Sequence, residues 1–209
     1  MSLLMLVTGQ LHNAGQCPIS SWSPNRNSMT TRVVFLDRDG TLNVDYGYVY
    51  RVDMFQFTER AAEAIQALRA ANYRIAVVSN QSGIASGLYD NADVETLTRF
   101  IQEQLANLGT SIDVFTFCPH SSADDCDCRK PQTGMATQVE QSLCREVDYG
   151  ASWTIGDKIS DIEFGKTLGT RNALLHSQYW TDDELIWRPE IISDSLYDAV
   201  QEILLFEAI

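Results

Sequence analysis

A short apolar run that ends in two aspartates constrains the fold of this chain more than any other feature. Residues 33–36 are all apolar, and Asp37 and Asp39 follow them just before Gly40 and Thr41. This order predicts a buried strand that delivers carboxylates to its carboxyl end, where ligands gather in open α/β sheets. Two carboxylates this close repel each other unless a cation lies between them. The pattern therefore predicts a hard divalent cation, Mg²⁺, and a carboxylate that serves as a nucleophile.

The acidic composition excludes one class of partner. Lys plus Arg number 15 and Asp plus Glu number 28, which gives a formal net charge of −13. A chain of this charge is a poor nucleic-acid binder, because such affinity depends on basic contacts to phosphates. No apolar run is long enough to span a bilayer, and the short apolar stretch 3–7 lacks the preceding basic residue of a signal peptide. We expect a cytoplasmic monomer with neither a nucleic-acid nor a membrane partner.

Composition and periodicity divide the chain into two parts. Residues 1–30 have the composition of turns and linkers, and we expect a flexible or non-native extension there. Residues 31–209 are predicted to form a single domain in which strands and helices alternate. The predicted strands span residues 32–36, 74–79, 113–118, 152–155 and 172–175, and the predicted helices span residues 58–71, 90–108, 134–147, 160–168 and 194–206. This alternation predicts an α/β fold with a parallel sheet covered by helices on both faces.

Chemically capable residues follow several of the predicted strands. Because the carboxyl ends of parallel strands lie side by side, residues far apart in sequence should converge on one edge. Turn residues with donors suited to phosphate oxygens follow the second strand, two adjacent cations precede the third helix, and two further acids follow the fourth strand. The turn residues are Ser79, Asn80, Gln81 and Ser82, and the cations are Arg129 and Lys130. The acids are Asp157 and Asp161, and Lys158 follows Asp157 directly. Asp157 is expected to complete the cation site of the first strand, and Asp161 to support it.

A cluster of sulfur and imidazole ligands predicts a second metal. Cys118, His120, Cys126 and Cys128 lie within one short loop, and three thiolates with one imidazole match a tetrahedral structural zinc site. All four positions are filled by protein, so the predicted Zn²⁺ has no open position for catalysis. Arg129 and Lys130 come directly after Cys128. The zinc is therefore expected to fix the loop that carries the phosphate-binding cations.

In this order, the residues resemble the haloacid dehalogenase superfamily of phosphotransferases. Asp37, Asp39, Gly40 and Thr41 look like its first motif, and Ser79, Lys130 and Asp157 look like its second, third and fourth motifs. The resemblance implies a Rossmann-like three-layer sandwich with a central parallel sheet and no large cap domain. It also implies the roles of the acids: Asp37 as nucleophile, Asp39 as general acid and base, and Mg²⁺ held by Asp37, Asp157 and the backbone carbonyl of Asp39.

Two subfamilies with a zinc loop share further features with the chain. Residues 45–49 look like the corresponding segment of the heptose bisphosphate phosphatases, whereas the short spacing from His120 to Cys126 looks like the histidinol-phosphate phosphatases. The first resemblance implies removal of the 7-phosphate of D-glycero-D-manno-heptose 1,7-bisphosphate, in ADP- or GDP-heptose biosynthesis. It places Asp45, Tyr46, Gly47 and Tyr48, with Arg129 and Lys158, against the sugar phosphate.

Several alternatives to this activity stay open. They are a histidinol-phosphate or other small phosphomonoester phosphatase, a phosphomutase on the same fold, and a zinc-stabilised binding protein without catalysis. The residues at all four motif positions are of catalytically competent types, which argues against the binding protein. Release of phosphate would separate a phosphatase from both the mutase and the binding protein.

Overall fold

The structure is a computed structural model that describes residues 5–7, 10–12 and 30–208, with side chains described for residues 30–208. The remainder of the predicted extension, including Cys17, lies outside the described residues. The flexible or non-native character of the extension therefore stays a prediction.

The described chain alternates strands and helices as the sequence predicts. Its strands are β1 (Met5–Val7), β2 (Gln10–His12), β3 (Val33–Leu36), β4 (Arg74–Asn80), β5 (Val114–Cys118), β6 (Trp153–Gly156), β7 (Arg171–Leu175) and β8 (Ile191–Ser193). Its α-helices are α1 (Ala61–Ala70), α2 (Asn91–Asn107), α3 (Gly134–Leu143), α4 (Ile159–Leu168) and α5 (Leu196–Glu207), and short 3₁₀ helices span Val52–Met54, Tyr149–Ala151 and Asp182–Glu184.

The strands form one sheet that winds outwards in both directions from β3. The spatial order is β1-β2-β5-β4-β3-β6-β7-β8, and the six strands β3 to β8 run parallel. β1 and β2 pair antiparallel with each other, and β2 pairs antiparallel with β5. The strand order reverses at β3, and the crevice at such a reversal is where open α/β sheets bind ligands.

Helices cover both faces of the sheet and give it three layers. Side chains of β3 alternate between the faces: Val34 and Leu36 pack in the cluster that includes α1, α2 and α5, whereas Val33 and Phe35 pack in the cluster that includes α3 and α4. All four residues are fully buried, which explains why the strand reads as a continuous apolar run. The predicted α/β sandwich with a central parallel sheet is confirmed.

The structure differs from the predicted elements at the end of α3 and at three strands that were not predicted, namely β8 and, within residues 1–30, β1 and β2. The third helix ends at Leu143 rather than at residue 147, because Cys144 adopts a left-handed conformation with φ of +52°. The three-residue strand β8 was not predicted, since Ile191–Ser193 is too short to show a period. Between β3 and α1, the described elements are turns and the 3₁₀ helix Val52–Met54. None of the described helices combines the length and apolar character that a bilayer span requires.

Candidate active site

The predicted strand ends meet at one edge of the sheet. β3 lies between β4 and β6, so Asp37, Ser79 and Asp157 all emerge at the same carboxyl edge. Gly40 allows the turn after β3 to pass close to Asp157. Its φ is +89°, and a Cβ atom there would lie 2.2 Å from a carboxylate oxygen of Asp157. A side chain at residue 40 would displace that carboxylate, which explains the glycine after the two aspartates.

A cleft at this edge has an inner lobe of about 170 Å³. Residues from separate segments line it: Asp37, Asp39, Ser79, Asn80, Ser82, Arg129, Lys130, Lys158, Ser160 and Asp161. The lobe thus contains both aspartates of the first motif and most of the predicted phosphate-binding residues. Among these lining residues, Ser160 had not been predicted.

Lys130 is the central charge of the inner lobe. Its Nζ donates to Asp37 Oδ1 at 2.6 Å and to the carbonyl of Val78 at 2.7 Å, and it lies 2.7 Å from Asp161 Oδ1. The side chains of Asp37, Asp161 and Lys130 are nearly inaccessible to solvent. Burial opposes the charge of Lys130, but the carboxylates of Asp161 and Asp37 raise its pKa above the ordinary value. The lysine therefore stays charged and holds the side chain of Asp37 in place.

Three carboxylates form a group that suits a hard cation. One oxygen from each of Asp37, Asp157 and Asp161 lies within 4.8 Å of the others. Burial and the nearby charge of Asp37 raise the pKa of Asp157 to about 7. A divalent cation would offset this repulsion, and an all-oxygen ligand set is the one that Mg²⁺ prefers. The carbonyl of Asp39 points to the same region, since Lys158 Nζ lies 3.4 Å from it and 3.2 Å from Asp157 Oδ1.

Asp39 lies in a dense network of donors. Arg38 Nη2 donates to its Oδ2 at 2.7 Å, Asn43 Nδ2 to its Oδ1 at 3.0 Å, and Gln81 Nε2 to its Oδ2 at 3.0 Å. Burial alone would raise the pKa of Asp39, but the charge of Arg38 and these hydrogen bonds together lower it below the ordinary value. In this arrangement Asp39 is an ionised carboxylate of fixed orientation.

Gln81 and Asn80 contact protein groups with their side-chain amides. Gln81 Nε2 also donates to Ser79 Oγ at 2.7 Å, and its Oε1 accepts from the hydroxyl of Tyr89 at 2.6 Å. Asn80 pairs with the backbone of Lys130, donating to its carbonyl at 3.1 Å and accepting from its N–H at 3.0 Å. Both amides had been predicted to bind substrate. The structure shows in addition that they hold Ser79 and Lys130 in position.

An outer lobe of about 290 Å³ opens next to the inner one. Its lining residues are Asp39, Asp45, Gly47, Tyr48, Asn80, Gln81, Ser82, Tyr89, Lys158 and Tyr179. Of the predicted segment 45–48, the structure brings Asp45, Gly47 and Tyr48 to this lobe. Tyr46 lines neither lobe: the turn at Gly47, with φ of +76°, directs it away, and its hydroxyl donates to Gln56 Oε1 at 2.8 Å.

The predicted zinc ligands lie together beside the inner lobe. One donor atom from each of Cys118, His120, Cys126 and Cys128 lies within 4.8 Å of the others. The sulfurs of Cys118 and Cys126 are 3.7 Å apart. A tetrahedral site with Zn–S bonds of about 2.3 Å places its sulfurs about 3.8 Å apart. The sulfurs of Cys118 and Cys128 are closer, at 2.8 Å. Burial raises the pKa of the Cys118 thiol, so a cation is needed to stabilise its thiolate.

Besides Ser160, sequence reasoning missed three residues of the site. Arg38 is 2% exposed. It lies between the two aspartates, and this position within the first motif was the sequence signal for its part in the site. Tyr89 contacts the site through Gln81, and its signal was weak because one tyrosine before a helix has no characteristic pattern. Tyr179 reaches the outer lobe from the loop after β7, and no local motif marks it.

Comparisons with known proteins identify the family of the chain. The family described as Polynucleotide kinase 3 phosphatase matches residues 32–173. A D-glycero-beta-D-manno-heptose-1,7-bisphosphate 7-phosphatase from Pasteurella multocida (strain Pm70) is 41% identical over 150 residues, which cover 69% of this chain and 80% of that protein. A protein of the same name from Escherichia coli (strain K12) is 40% identical over 137 residues, covering 62% of this chain and 71% of that protein.

The chain belongs to the haloacid dehalogenase phosphatases, in the family that contains these two enzymes. A solved structure of D,D-heptose 1.7-bisphosphate phosphatase from B. bronchiseptica, complexed with magnesium and phosphate, is similar with a TM-score of 0.73 and 27% identity, covering 84% of this chain and 99% of that one. The family match runs from before Asp37 to beyond Asp157 and stops before Tyr179.

Proposed function

We propose that the chain is a phosphatase that removes the 7-phosphate of D-glycero-D-manno-heptose 1,7-bisphosphate. The proposal rests on the connection between the two lobes. Four residues line both of them, namely Asp39, Asn80, Ser82 and Lys158. A phosphoryl group beside Asp37 in the inner lobe has its leaving sugar beside Asp39 in the outer lobe. The names of the curated relatives support the heptose as that sugar.

Asp37 is proposed as the nucleophile. Its carboxylate attacks phosphorus, a bond forms between phosphorus and Asp37, and the bond from phosphorus to the sugar oxygen breaks with its electron pair on that oxygen. The product of this half-reaction is an aspartyl phosphate. Burial raises the pKa of Asp37 above its ordinary value, and Lys130, 2.6 Å from its Oδ1, acts against this rise and favours the ionised carboxylate that the attack requires.

Asp39 is proposed to move the protons. It protonates the leaving sugar oxygen and then takes a proton from the water that attacks the aspartyl phosphate, which releases inorganic phosphate and restores both aspartates. The donors around Asp39 favour its ionised form, whereas the first step needs its acid form. A dianionic phosphoryl group beside Asp39 raises its pKa, because like charges disfavour ionisation. Substrate binding therefore supplies the protonated state.

The remaining polar residues are proposed to bind the phosphate and the sugar. Ser79, Ser82 and Arg129 line the inner lobe, where hydroxyl and guanidinium donors match phosphoryl oxygens. Lys158 lines both lobes, and Asp45 and Tyr48 line the outer one. The inner lobe therefore recognises phosphate and the outer lobe recognises the leaving group.

Two metals are proposed on the basis of the ligand sets. Asp37, Asp157 and the carbonyl of Asp39 would hold Mg²⁺, which supplies positive charge against the phosphoryl oxygens. The complex of the solved relative with magnesium and phosphate supports this choice. Cys118, His120, Cys126 and Cys128 would hold a structural Zn²⁺ that orders the loop before Arg129 and Lys130.

Phosphate release by the purified protein with Mg²⁺ tests the function. We expect the highest kcat/KM with heptose 1,7-bisphosphate and loss of the 7-phosphate in the phosphorus NMR spectrum of the product. A higher value with histidinol phosphate would favour the second candidate, which the short spacing from His120 to Cys126 supports. Isomerisation without phosphate release would identify a mutase, and binding without turnover would identify a binding protein.

We also propose that the enzyme is a monomer and acts in the cytoplasm. A small, diffusible sugar phosphate requires neither a second subunit nor a membrane for its recognition. Light scattering of the purified protein tests the first statement, and fractionation of cells that express it tests the second.

A further inference from the structure

Tyr179 joins two loops that are distant in sequence at the rim of the outer lobe. Its phenolic hydroxyl donates to Asp45 Oδ2 at 2.9 Å, across 134 residues of sequence. The side chain of Tyr179 is 43% exposed, so one part of its ring faces the open lobe. It lies beyond residues 32–173, which the family match covers. Its position is therefore a property of this chain that the motifs do not describe.

The loop that carries Tyr179 is held firmly on the strand ends. Ser177 Oγ donates to the carbonyl of Asp157 at 2.6 Å and accepts from the N–H of Tyr179 at 3.1 Å. The next residue, Trp180, is 7% exposed and donates from Nε1 to the carbonyl of Leu175 at 2.9 Å. Tyr179 is thus fixed between two anchored residues, at a set distance from the carboxyl end of β6.

Tyr179, Asp45 and Lys158 form one polar group at this rim. Lys158 Nζ lies 4.6 Å from the centre of the Tyr179 ring and 3.7 Å from Asp45 Oδ2. The other oxygen of Asp45 accepts from the N–H of Gly47 at 2.8 Å, which fixes the carboxylate. The hydroxyl proton of Tyr179 is used in the bond to Asp45, so the group presents acceptor lone pairs of Tyr179 and Asp45 and the cation of Lys158 to the outer lobe. A sugar hydroxyl can donate to the oxygen of Tyr179 or to Asp45 Oδ2 without breaking that bond.

We propose that Tyr179 is a specificity-determining residue that, together with Asp45, binds hydroxyl groups of the leaving group. The inference rests on the proposed function in one respect, namely that the leaving group is a polyol. It assigns to the loop after β7 a part in substrate recognition. A phosphomonoester whose leaving group lacks hydroxyls gains nothing from this contact.

The Tyr179→Phe variant tests the proposal, because it removes the hydroxyl and keeps the ring over Lys158. With heptose 1,7-bisphosphate we expect KM to rise and kcat/KM to fall about three- to tenfold, the effect of one lost hydrogen bond. With p-nitrophenyl phosphate, which has no leaving-group hydroxyl donor, we expect the wild-type value. Tyr197→Phe is the matched control, since Tyr197 lies against Arg60 and lines neither lobe.

The outcomes separate this inference from the proposed function. Equal kinetics of Tyr179→Phe and wild type with heptose 1,7-bisphosphate would overturn the inference alone, as would an equal loss with both substrates. Failure of the wild type to hydrolyse the heptose bisphosphate would overturn the proposed substrate. The same comparison is then made with sorbitol 6-phosphate and fructose 1,6-bisphosphate. A wild type that hydrolyses p-nitrophenyl phosphate but neither of these polyol phosphates would overturn the inference as well.

Discussion

The ammonium nitrogen of Lys130 lies 2.6 Å from Oδ1 of Asp37 and 2.7 Å from Oδ1 of Asp161. All three side chains are nearly inaccessible to solvent, and buried charges are tolerated only when they are paired. Lys130 therefore allows two acidic side chains to share the floor of the inner lobe. The same contact aligns Asp37 for attack, so stability and activity depend on one lysine.

Replacing Lys130 by methionine should lower both the stability and the activity of the protein. Removal of one partner of a buried ion pair leaves an unpaired charge and costs about 3–5 kcal/mol. We expect a loss of this size in the free energy of unfolding, measured by urea denaturation, and no phosphate release. Lys166→Met is the control, because Lys166 is exposed on α4. Adding Asp161→Asn to the Lys130 variant should restore part of the stability and none of the activity. Equal stability of the Lys130 and Lys166 variants would contradict the pairing.

The Asp37→Asn variant separates folding from chemistry at the same position. Asparagine has nearly the shape of aspartate, and Lys130 keeps Asp161 and the carbonyl of Val78 as partners. We expect a folded protein, with the wild-type far-ultraviolet circular dichroism spectrum, that releases no phosphate. Normal phosphate release by this variant would show that another group attacks phosphorus.

Local patterns in the sequence were sufficient to predict the frame of the site. The run at residues 33–36 is apolar on both faces because β3 is the central strand of the sheet, and the turn after it contains the two aspartates. Five of the six parallel strands and all five α-helices show a clear run or period. Convergence of Asp37, Ser79 and Asp157 then follows from the geometry of a parallel sheet.

Local runs and periods in the sequence do not predict contacts between segments that are distant along the chain. Tyr179 meets Asp45 across 134 residues, and neither neighbourhood contains a signal for the other. Arg38 was assigned no role from the sequence, yet it is buried and donates to Asp39 and to the carbonyl of Val49. Such pairings depend on how loops pack over the strand ends, which a period or a turn residue does not specify.

Gln81 should act by positioning, so its loss should lower kcat more than it changes KM. Its buried amide contacts Asp39, Ser79, Arg38 and Tyr89. In Gln81→Met these groups lose their partner, which costs about 1–3 kcal/mol for each buried polar group left unsatisfied. We expect lower stability and a lower kcat for phosphate release. The exposed Gln66→Met on α1 is the control. A change in KM alone would indicate that Gln81 binds substrate directly.

Removal of zinc should impair activity through the loop at Arg129 and Lys130. A chelator is expected to lower the melting temperature and phosphate release together, and added Mg²⁺ should not restore them. Cys126→Ser should lose the bound metal in elemental analysis, whereas Cys144→Ser, outside the cluster, should keep it. Purified wild-type protein without zinc, or chelated protein with full stability and rate, would show that the cluster has no structural metal.

Tyr89 should make stability depend on pH in the alkaline range. Burial raises the pKa of Tyr89 from its ordinary 10.0 to about 12, with the charge of Arg38 acting against this rise. Between these values the unfolded chain releases a proton that the folded protein keeps, so the free energy of unfolding falls as pH rises, by at most about 1.4 kcal/mol per pH unit. Below pH 10.0 the stabilisation that the raised pKa of Tyr89 provides is fully present and does not change with pH.

The Tyr89→Phe variant isolates that contribution. Without the titrating hydroxyl its stability should fall less steeply than that of the wild type between pH 10.0 and about 12, and the loss of the hydrogen bond to Gln81 should add an offset at lower pH. Urea denaturation at a series of alkaline pH values measures both effects. Tyr46→Phe, where the residue is 58% exposed, is the control for the removal of one phenolic hydroxyl. A Tyr89→Phe curve parallel to that of the wild type would show that the folded and unfolded chains release the proton of Tyr89 at the same pH.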